Sequence, residues 1–284
     1  MATFTNQATL TYNNTVANSN IATGELTEAI SVTKTAVADR YGESDRVAYV
    51  VSIINSGEAS LTGLVLTDTL GAYAYGTGTL YPLTYADGSV LYYVNGVLQA
   101  SPTVTTASPL VISGISVPAG GNATVIYEAE TNEFAPLAAE STIVNTATVT
   151  GTGIVTPITA TETVSVAATP RLTIAKSISP AVVTSGQTVT YTFLIQNYGN
   201  TPAVAADNAV ITDTFNPILS NISVRYNGTD WTAGTNYTYD TATGLFTTVA
   251  GQITVPAATY TRDATTGAVT TTPGTATVTV SGTI

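Results

Sequence analysis

The sequence predicts an all-β chain of two tandem β-sandwich domains, the second lacking its last strand. Three observations carry this. Short runs rich in Val, Ile, Thr and Tyr recur between Gly, Pro, Asn and Asp punctuation, as strands between turns do. Apolar periodicity of the helical kind is nearly absent. Residues 30–70 also align with residues 172–215, which makes the chain an internal repeat.

Taken in chain order, the first segment is TFTNQATLTY (3–12), a strand without a domain of its own, followed by residues 13–29. Those seventeen residues read as a flexible linker that could span about 60 Å when extended. Residues 30–165 form the first, complete domain and residues 166–284 the second. Within them SVTKTA matches TIAKSI, VAYVVSIINSG matches VTYTFLIQNYG, and LVLTDTL matches AVITDTF. Further along, YVNG (93–96) matches RYNG (225–228), GISVPAG (114–120) matches GQITVPA (251–257), and ATVIYEAE (123–130) matches ATVTVSGT (276–283). The first repeat then continues into TIVNTATVTG (142–151), whereas the second stops at Ile284. The missing strand recurs at the opposite end of the sequence, where Asn6-Gln-Ala-Thr-Leu-Thr reproduces Asn145-Thr-Ala-Thr-Val-Thr.

An incomplete sandwich leaves a sheet edge and part of a core open. The N-terminal strand of another copy can fill it by β-augmentation, and such a head-to-tail contact propagates into a filament unless its rotation closes a ring. The expected partner is therefore a second copy of this chain. The competing expectations are that residues 3–12 fold back on their own second domain, or form a disordered tail.

Composition restricts the chemistry. There is no Cys and no His, so thiolate and imidazole zinc sites, Ser-His-Asp triads and Cys-His pairs are excluded. Net charge is −11, which argues against nucleic acid or anionic lipid as partner. Charged residues make up 9% of the chain, against about 25% in an average soluble domain, a composition that suits β-rich extracellular assemblies. The opening Met-Ala-Thr-Phe-Thr-Asn has no basic region leading into an apolar run, so neither a signal peptide nor a membrane span is expected.

The two lysines, Lys34 and Lys176, occupy the same point of the repeat. Alternate residues through them read Ile30, Val32, Lys34, Ala36 and Leu172, Ile174, Lys176, Ile178, so a strand would point each amine inward with the hydrophobes. The same alternation points inward Asp68 (with Leu64, Leu66 and Leu70), Asp213 (with Ala209, Ile211 and Phe215), Asn145 (with Ile143, Ala147 and Val149) and Asn6 (with Phe4, Ala8 and Leu10). Burying an ammonium and a carboxylate costs several kcal/mol per ion, roughly, so the neutral pair is favoured. A neutral amine is a nucleophile, and an adjacent acid can polarise a carboxamide and carry the proton to departing ammonia. The expected product is a Lys–Asn isopeptide bond, driven by proximity. Lys34 would bond Asn145 within the first domain with Asp68 as catalyst; Lys176 would bond Asn6 of a neighbouring copy with Asp213 as catalyst. Two alternatives stay open. The triad can be a purely hydrogen-bonded network, and Asn55 and Asn197, which share the inward phase, are rival acceptors whose Ser-Gly and Tyr-Gly contexts also suit turns.

The motifs T-x-x-K-[TS], Y-x-[VF]-x-[IL]-x-N-x-G, [VI]-[TL]-T-D-T-[LF] and N-x-A-T-[VL]-T resemble a bacterial surface-repeat family of long cell-envelope proteins. They cover residues 30–150 and 172–284 plus the N-terminal strand. The layout is similar to the Ig-like B-type repeats of collagen adhesins, where a first-strand Lys bonds a last-strand Asn beside an acid. That acid is usually Glu; Asp68 and Asp213 stand in its place here. A two-repeat chain of this size most resembles the major subunits of endospore appendages, which implies a spore-surface or extracellular fibre with anchor or tip proteins as further partners. No cofactor is expected.

Two other classes compete. A binding module would use the aromatic clusters Tyr73, Tyr75, Tyr81, Tyr85, Tyr92, Tyr93 and Tyr226, Trp231, Tyr237, Tyr239 to stack on sugars. A carboxylate enzyme would use Glu128, Glu130, Glu133 and Glu140, which have no counterpart in the second repeat. The Asp87-Gly88 and Asp207-Asn208 loops lack a full calcium-ligand pattern.

Overall fold

A computed structural model of the chain describes residues 2–26 and 29–284. The described residues are almost wholly β, with a single 3-10 turn at Ala205–Asp207. None of their helices is long and apolar enough to cross a membrane. They form two compact units: residues 1–132 with 143–164, and residues 133–142 with 165–284. Residues 133–142, expected inside the first domain, thus belong with the second. Local hydrogen bonds show why: Val269 N donates to Glu133 O at 2.7 Å and Asn200 Nδ2 to Leu137 O at 3.2 Å.

In the first unit one sheet runs, in spatial order, Val97–Gln99, Leu91–Val94, Asn122–Thr131, Arg46–Asn55 and Ile30–Ala36. The other runs Thr103–Ala107, Leu110–Val117, Leu61–Asp68, Thr142–Thr150, Ile158–Val166 and Arg40–Tyr41. Alternation is strict where a strand has one face on the core: Val47, Tyr49, Val51, Ile53 and Asn55 are buried along Arg46–Asn55, and Ile143, Asn145, Ala147 and Val149 along Thr142–Thr150. One lysine strand (Ile30–Ala36) therefore edges the first sheet, while an aspartate strand (Leu61–Asp68) and an asparagine strand (Thr142–Thr150) are neighbours in the second.

The second unit repeats the first of these sheets as Leu172–Ser179, Thr188–Asn197, Gly274–Thr283, Ser220–Tyr226 and Thr229–Trp231. Its core is built on Val189, Phe193, Phe215, Phe246, Val278 and Val280. The opposing sheet has shrunk to Thr212–Thr214, Leu245–Thr248 and Tyr237–Tyr239. Among the described residues Thr212–Thr214 pairs on one edge only, whereas the equivalent Leu61–Asp68 pairs on both. Ile211 is still tied to Thr248, its N donating to Thr248 Oγ1 at 2.9 Å and its O accepting from Thr248 N at 2.9 Å, but the residues ahead of it do not extend as a strand.

The amino-terminal segment departs from the expected linker. Ala2–Asn6 pairs antiparallel with Ala22–Leu26, and Thr9–Tyr12 with Thr15–Asn18, giving one two-stranded ribbon. Asn13 and Asn14 have φ of 43° and 63°, the left-handed pair that a tight two-residue hairpin turn needs and that asparagine tolerates. Between the two ladders Ser19 N donates to Ala8 O at 2.8 Å and Ala8 N to Ser19 Oγ at 2.9 Å. Residues 13–26 are therefore hydrogen-bonded partners of the predicted donor strand, while Thr27 and Glu28 lie outside the described residues.

Candidate functional site

In the first unit the three predicted side chains converge between the sheets. Lys34 is aimed inward because its strand alternates buried Ile30 and Lys34 with exposed Ser31, Thr33 and Thr35. Its Nζ lies 2.5 Å from Asp68 Oδ2, and both side chains are fully buried. Asp68 Oδ2 also accepts from Tyr127 OH at 2.5 Å, and Oδ1 accepts from Leu70 N at 2.9 Å. The amine sits over the ring of Tyr49, 4.5 Å from its centroid, and 5.9 Å from that of Tyr127. Burial pulls Lys34 below the ordinary lysine value, opposed by the charge and hydrogen bond of Asp68 and more weakly by Glu162. The same burial drives Tyr49 and Tyr127 upward, reinforced by the neighbouring Asp68 carboxylate.

Asn145 is placed by register. Ala147, two residues on, pairs with Asp68, so the Asn145 carboxamide reaches the turn that follows the aspartate. Leu70 and Gly71 adopt left-handed φ of 50° and 72°, and a Cβ at Gly71 would lie 2.4 Å from Ile143 Cγ2. Glycine is required there on both counts. This turn presents Gly71 N to Asn145 Oδ1 at 3.1 Å, with Thr69 Oγ1 at 3.2 Å. Two donors on the carbonyl oxygen polarise the carbon that a nucleophile would attack. The other end of the amide faces the two tyrosines: Asn145 Nδ2 makes no hydrogen bond of full geometry, yet its carboxamide lies close enough to the Tyr49 and Tyr127 hydroxyls to oppose the upward push of burial on both.

The sequence suggests a hydrogen bond from Asp68 to the Asn145 carboxamide; in the structure the donors to Asn145 Oδ1 are Thr69 and Gly71, while both oxygens of Asp68 serve Lys34, Tyr127 and Leu70. Sequence reasoning missed Tyr49 and Tyr127. Tyr49 was visible as the Tyr of the repeated VAYVV and VTYTF, inward by alternation. Tyr127 has no counterpart, because Val280 stands at its place in the second repeat.

The rival asparagines are engaged elsewhere. Asn55 Nδ2 donates to Ala59 O at 2.8 Å and Pro118 O at 3.1 Å while Oδ1 accepts from Gly57 N at 3.0 Å. Asn197 repeats the pattern with Thr201 O, Pro256 O and Gly199 N. The residues paired with the lysines are Val51 and Phe193, each four positions earlier, so the two asparagines lie about 13 Å further along their strands at the usual rise per residue.

The second unit holds Lys176 against Asp213, with Tyr191, Phe193 and Phe215 rings 4.7–5.5 Å from the amine. This pair is not buried as expected: Lys176 is 41% and Asp213 17% exposed at the side chain. Leu172, Ile174 and Ile178, expected inside, are exposed as well. A cleft of about 190 Å³ opens alongside, lined by Leu172, Ile174, Ile195, Ala209, Ile211 and Ile253 among others. Asn6 is likewise exposed, on the ribbon, with Phe4 60% and Leu10 63% exposed beside it; Asn6 and Lys176 belong to different units. For the second-unit residues the physical reason is common: among the described residues no strand of that unit pairs with the second edge of Thr212–Thr214.

The other candidates are occupied. Of the aromatic candidates, Tyr85, Tyr92 and Tyr237 are core residues and Tyr226 stacks on Trp231. Glu128 and Glu130 pair with exposed Arg46 at 3.3 and 3.5 Å. Asp207 accepts from Val204 N at 2.7 Å, and no cluster of three acidic groups occurs among the described residues.

No protein-family model matches the chain, and no curated protein does. Among solved structures it is similar to BcpA, the major pilin subunit of Bacillus cereus, at 11% identity over 96% of this chain and 73% of that one, TM-score 0.37. It is also similar to the pilus backbone RrgB from Streptococcus pneumoniae (12%, 86% and 55%, TM-score 0.32) and to collagen adhesin from S. aureus (12%, 55% and 55%, TM-score 0.31). The matched region thus spans little more than half of the latter two. These scores describe a loose likeness among β-sandwich proteins.

Proposed function

We propose that this chain is the subunit of an extracellular fibre that polymerises head to tail by strand donation and is cross-linked by Lys–Asn isopeptide bonds. One observation carries the reading. The Lys–Asp pair is sealed beneath Asn145 in the first unit and open in the second, while the strand pattern that does the sealing recurs, exposed, at residues 6–11. Carried over by repeat, Asn6 takes the place of Asn145, Ala8 faces Asp213 as Ala147 faces Asp68, and Leu10 faces Ile211 in the apolar cleft as Val149 faces Leu66.

The chemistry follows from the first unit. The Lys34 ammonium passes a proton to Asp68 Oδ2 across 2.5 Å. The freed amine attacks Asn145 Cγ, whose oxygen is held by Gly71 N and Thr69 Oγ1 as charge develops. The Cγ–Nδ2 bond breaks as Asp68 returns the first proton to the leaving nitrogen and takes a second from the former lysine nitrogen, so that ammonia departs and a neutral amide and a protonated Asp68 remain. Each site reacts once. Lys176, Asp213 and a neighbour's Asn6 supply the same groups between subunits. Location on a spore surface is the narrower form of this proposal and rests on the family resemblance.

The test is to boil purified protein in SDS and take masses of monomer and ladder bands. A ladder losing about 17 Da per bond, one ammonia, with Lys176 linked to Asn6, is the expected result. A single band at full mass overturns the covalent mechanism.

A further inference from the structure

Resting on that reading, we infer that the donated element is the whole two-stranded ribbon, residues 2–26, and that it enters the neighbour intact. A strand has two hydrogen-bonding edges. Residues 2–12 spend one on residues 15–26, and the other is free to meet Thr212–Thr214. No ladder has to open before donation.

The ribbon is built for one-sided burial. Residues directly opposite in an antiparallel pair share a face, so Phe4, Asn6 and Leu10 lie on the same side as Gly24, Ala22 and Ala17. Opposite Phe4, Asn6 and Leu10 the second strand contributes only small side chains, and Phe4 lies so closely over Gly24 that a Cβ there would meet its ring at 2.3 Å. The reverse face carries Thr5, Thr9 and Thr11 opposite Thr23, Asn18 and Val16, with valine its one apolar member among these. Residues 4–23 are all exposed in the isolated chain, which leaves this apolar face uncovered.

The first unit shows the seat such a ribbon would take. Its asparagine strand pairs with the aspartate strand on one edge and with Ile158–Val166 on the other, so the element that seals Lys34 is itself two strands wide. The outer strand contributes to the site, since Glu162 acts on Lys34. A preformed ribbon has met most of its ordering cost before binding, and its outer strand, rather than bare solvent, then borders the Lys176 site.

Because the chain has no cysteine, the ribbon can be locked cleanly. Thr5→Cys with Thr23→Cys joins its open end, and Thr11→Cys with Val16→Cys its turn end; both pairs are directly opposite. Oxidised and reduced forms of each full-length variant are compared with the unmodified chain for SDS-resistant ladder formation. Ladders forming as fast in the oxidised as in the reduced state support intact donation. Oxidised chains that stay monomeric until reductant is added overturn it, because the strand must then peel away alone, while leaving the fibre proposal standing. Failure of the unmodified chain to associate at all overturns both.

Discussion

The two lysine sites of one chain offer an internal comparison. In a background carrying Asn6→Ala and Asn145→Ala, which can form neither isopeptide bond, Asp68→Ala and Asp213→Ala are made separately. Asp68→Ala leaves a lysine whose side chain is fully buried without its counter-ion, a loss of about 3–5 kcal/mol. It also strips an acceptor from Tyr127 OH and Leu70 N, roughly 1–3 kcal/mol for each buried donor left unmatched. Asp213→Ala removes a partner from a lysine that is 41% exposed; solvent replaces it, and the cost is at most about 1 kcal/mol. The assay is urea denaturation with each unit followed by its own signal, since two units need not unfold together. Trp231, the single tryptophan, reports the second unit, and loss of protection of the fully buried Tyr41, Tyr49 and Tyr127, followed by hydrogen exchange, reports the first. The expected outcome is a large shift of the first transition for Asp68→Ala and almost none of the second for Asp213→Ala. Equal shifts would refute the reasoning, because the second site would then be closed in the free chain and nothing would remain for a donor to cover.

Removing the nucleophiles separates the two bonds. Lys34→Ala should abolish the intrachain mass loss and keep the ladder, whereas Lys176→Ala should do the reverse, both read by mass spectrometry of boiled samples. Leu10→Asp should weaken association by about 10- to 150-fold, the worth of one buried leucine at roughly 1.5–3 kcal/mol, measured by sedimentation of the Lys176→Ala chain so that covalent capture does not mask it. The pH dependence has a defined sign. Burial lowers Lys34, so below the ordinary value of 10.5 the folded chain binds fewer protons than the unfolded one, and stability of the bond-free Asn145→Ala chain should rise with pH across that window. Above pH 10, the ordinary tyrosine value, the raised Tyr49 and Tyr127 keep protons that the unfolded chain loses, and stability should fall. A denaturation midpoint flat from pH 7 to 11 would remove both groups from the argument.

Sequence by itself determined the class of structure and the inward placement of three polar side chains in the first unit. Period-2 alternation placed Lys34, Asp68 and Asn145 inward, because a strand with one face on a core can point a side chain only in or out. The repeat also located their counterparts Lys176, Asp213 and Asn6. Three things belonged to the tertiary structure. Polarisation of Asn145 by Thr69 and Gly71 depends on a left-handed turn at Leu70, a backbone state that leucine does not advertise. Tyr49 and Tyr127 become a lid over the amine only when two neighbouring strands pair in register at Tyr127 and Tyr49. Exposure, finally, is a property of neighbours rather than of a strand: alternation gives Leu172, Ile174 and Lys176 an inward face, but that face is buried only if another strand lies across it. In the second unit none of the chain's own described strands does, so the same motif that is sealed around Lys34 stands open at Lys176.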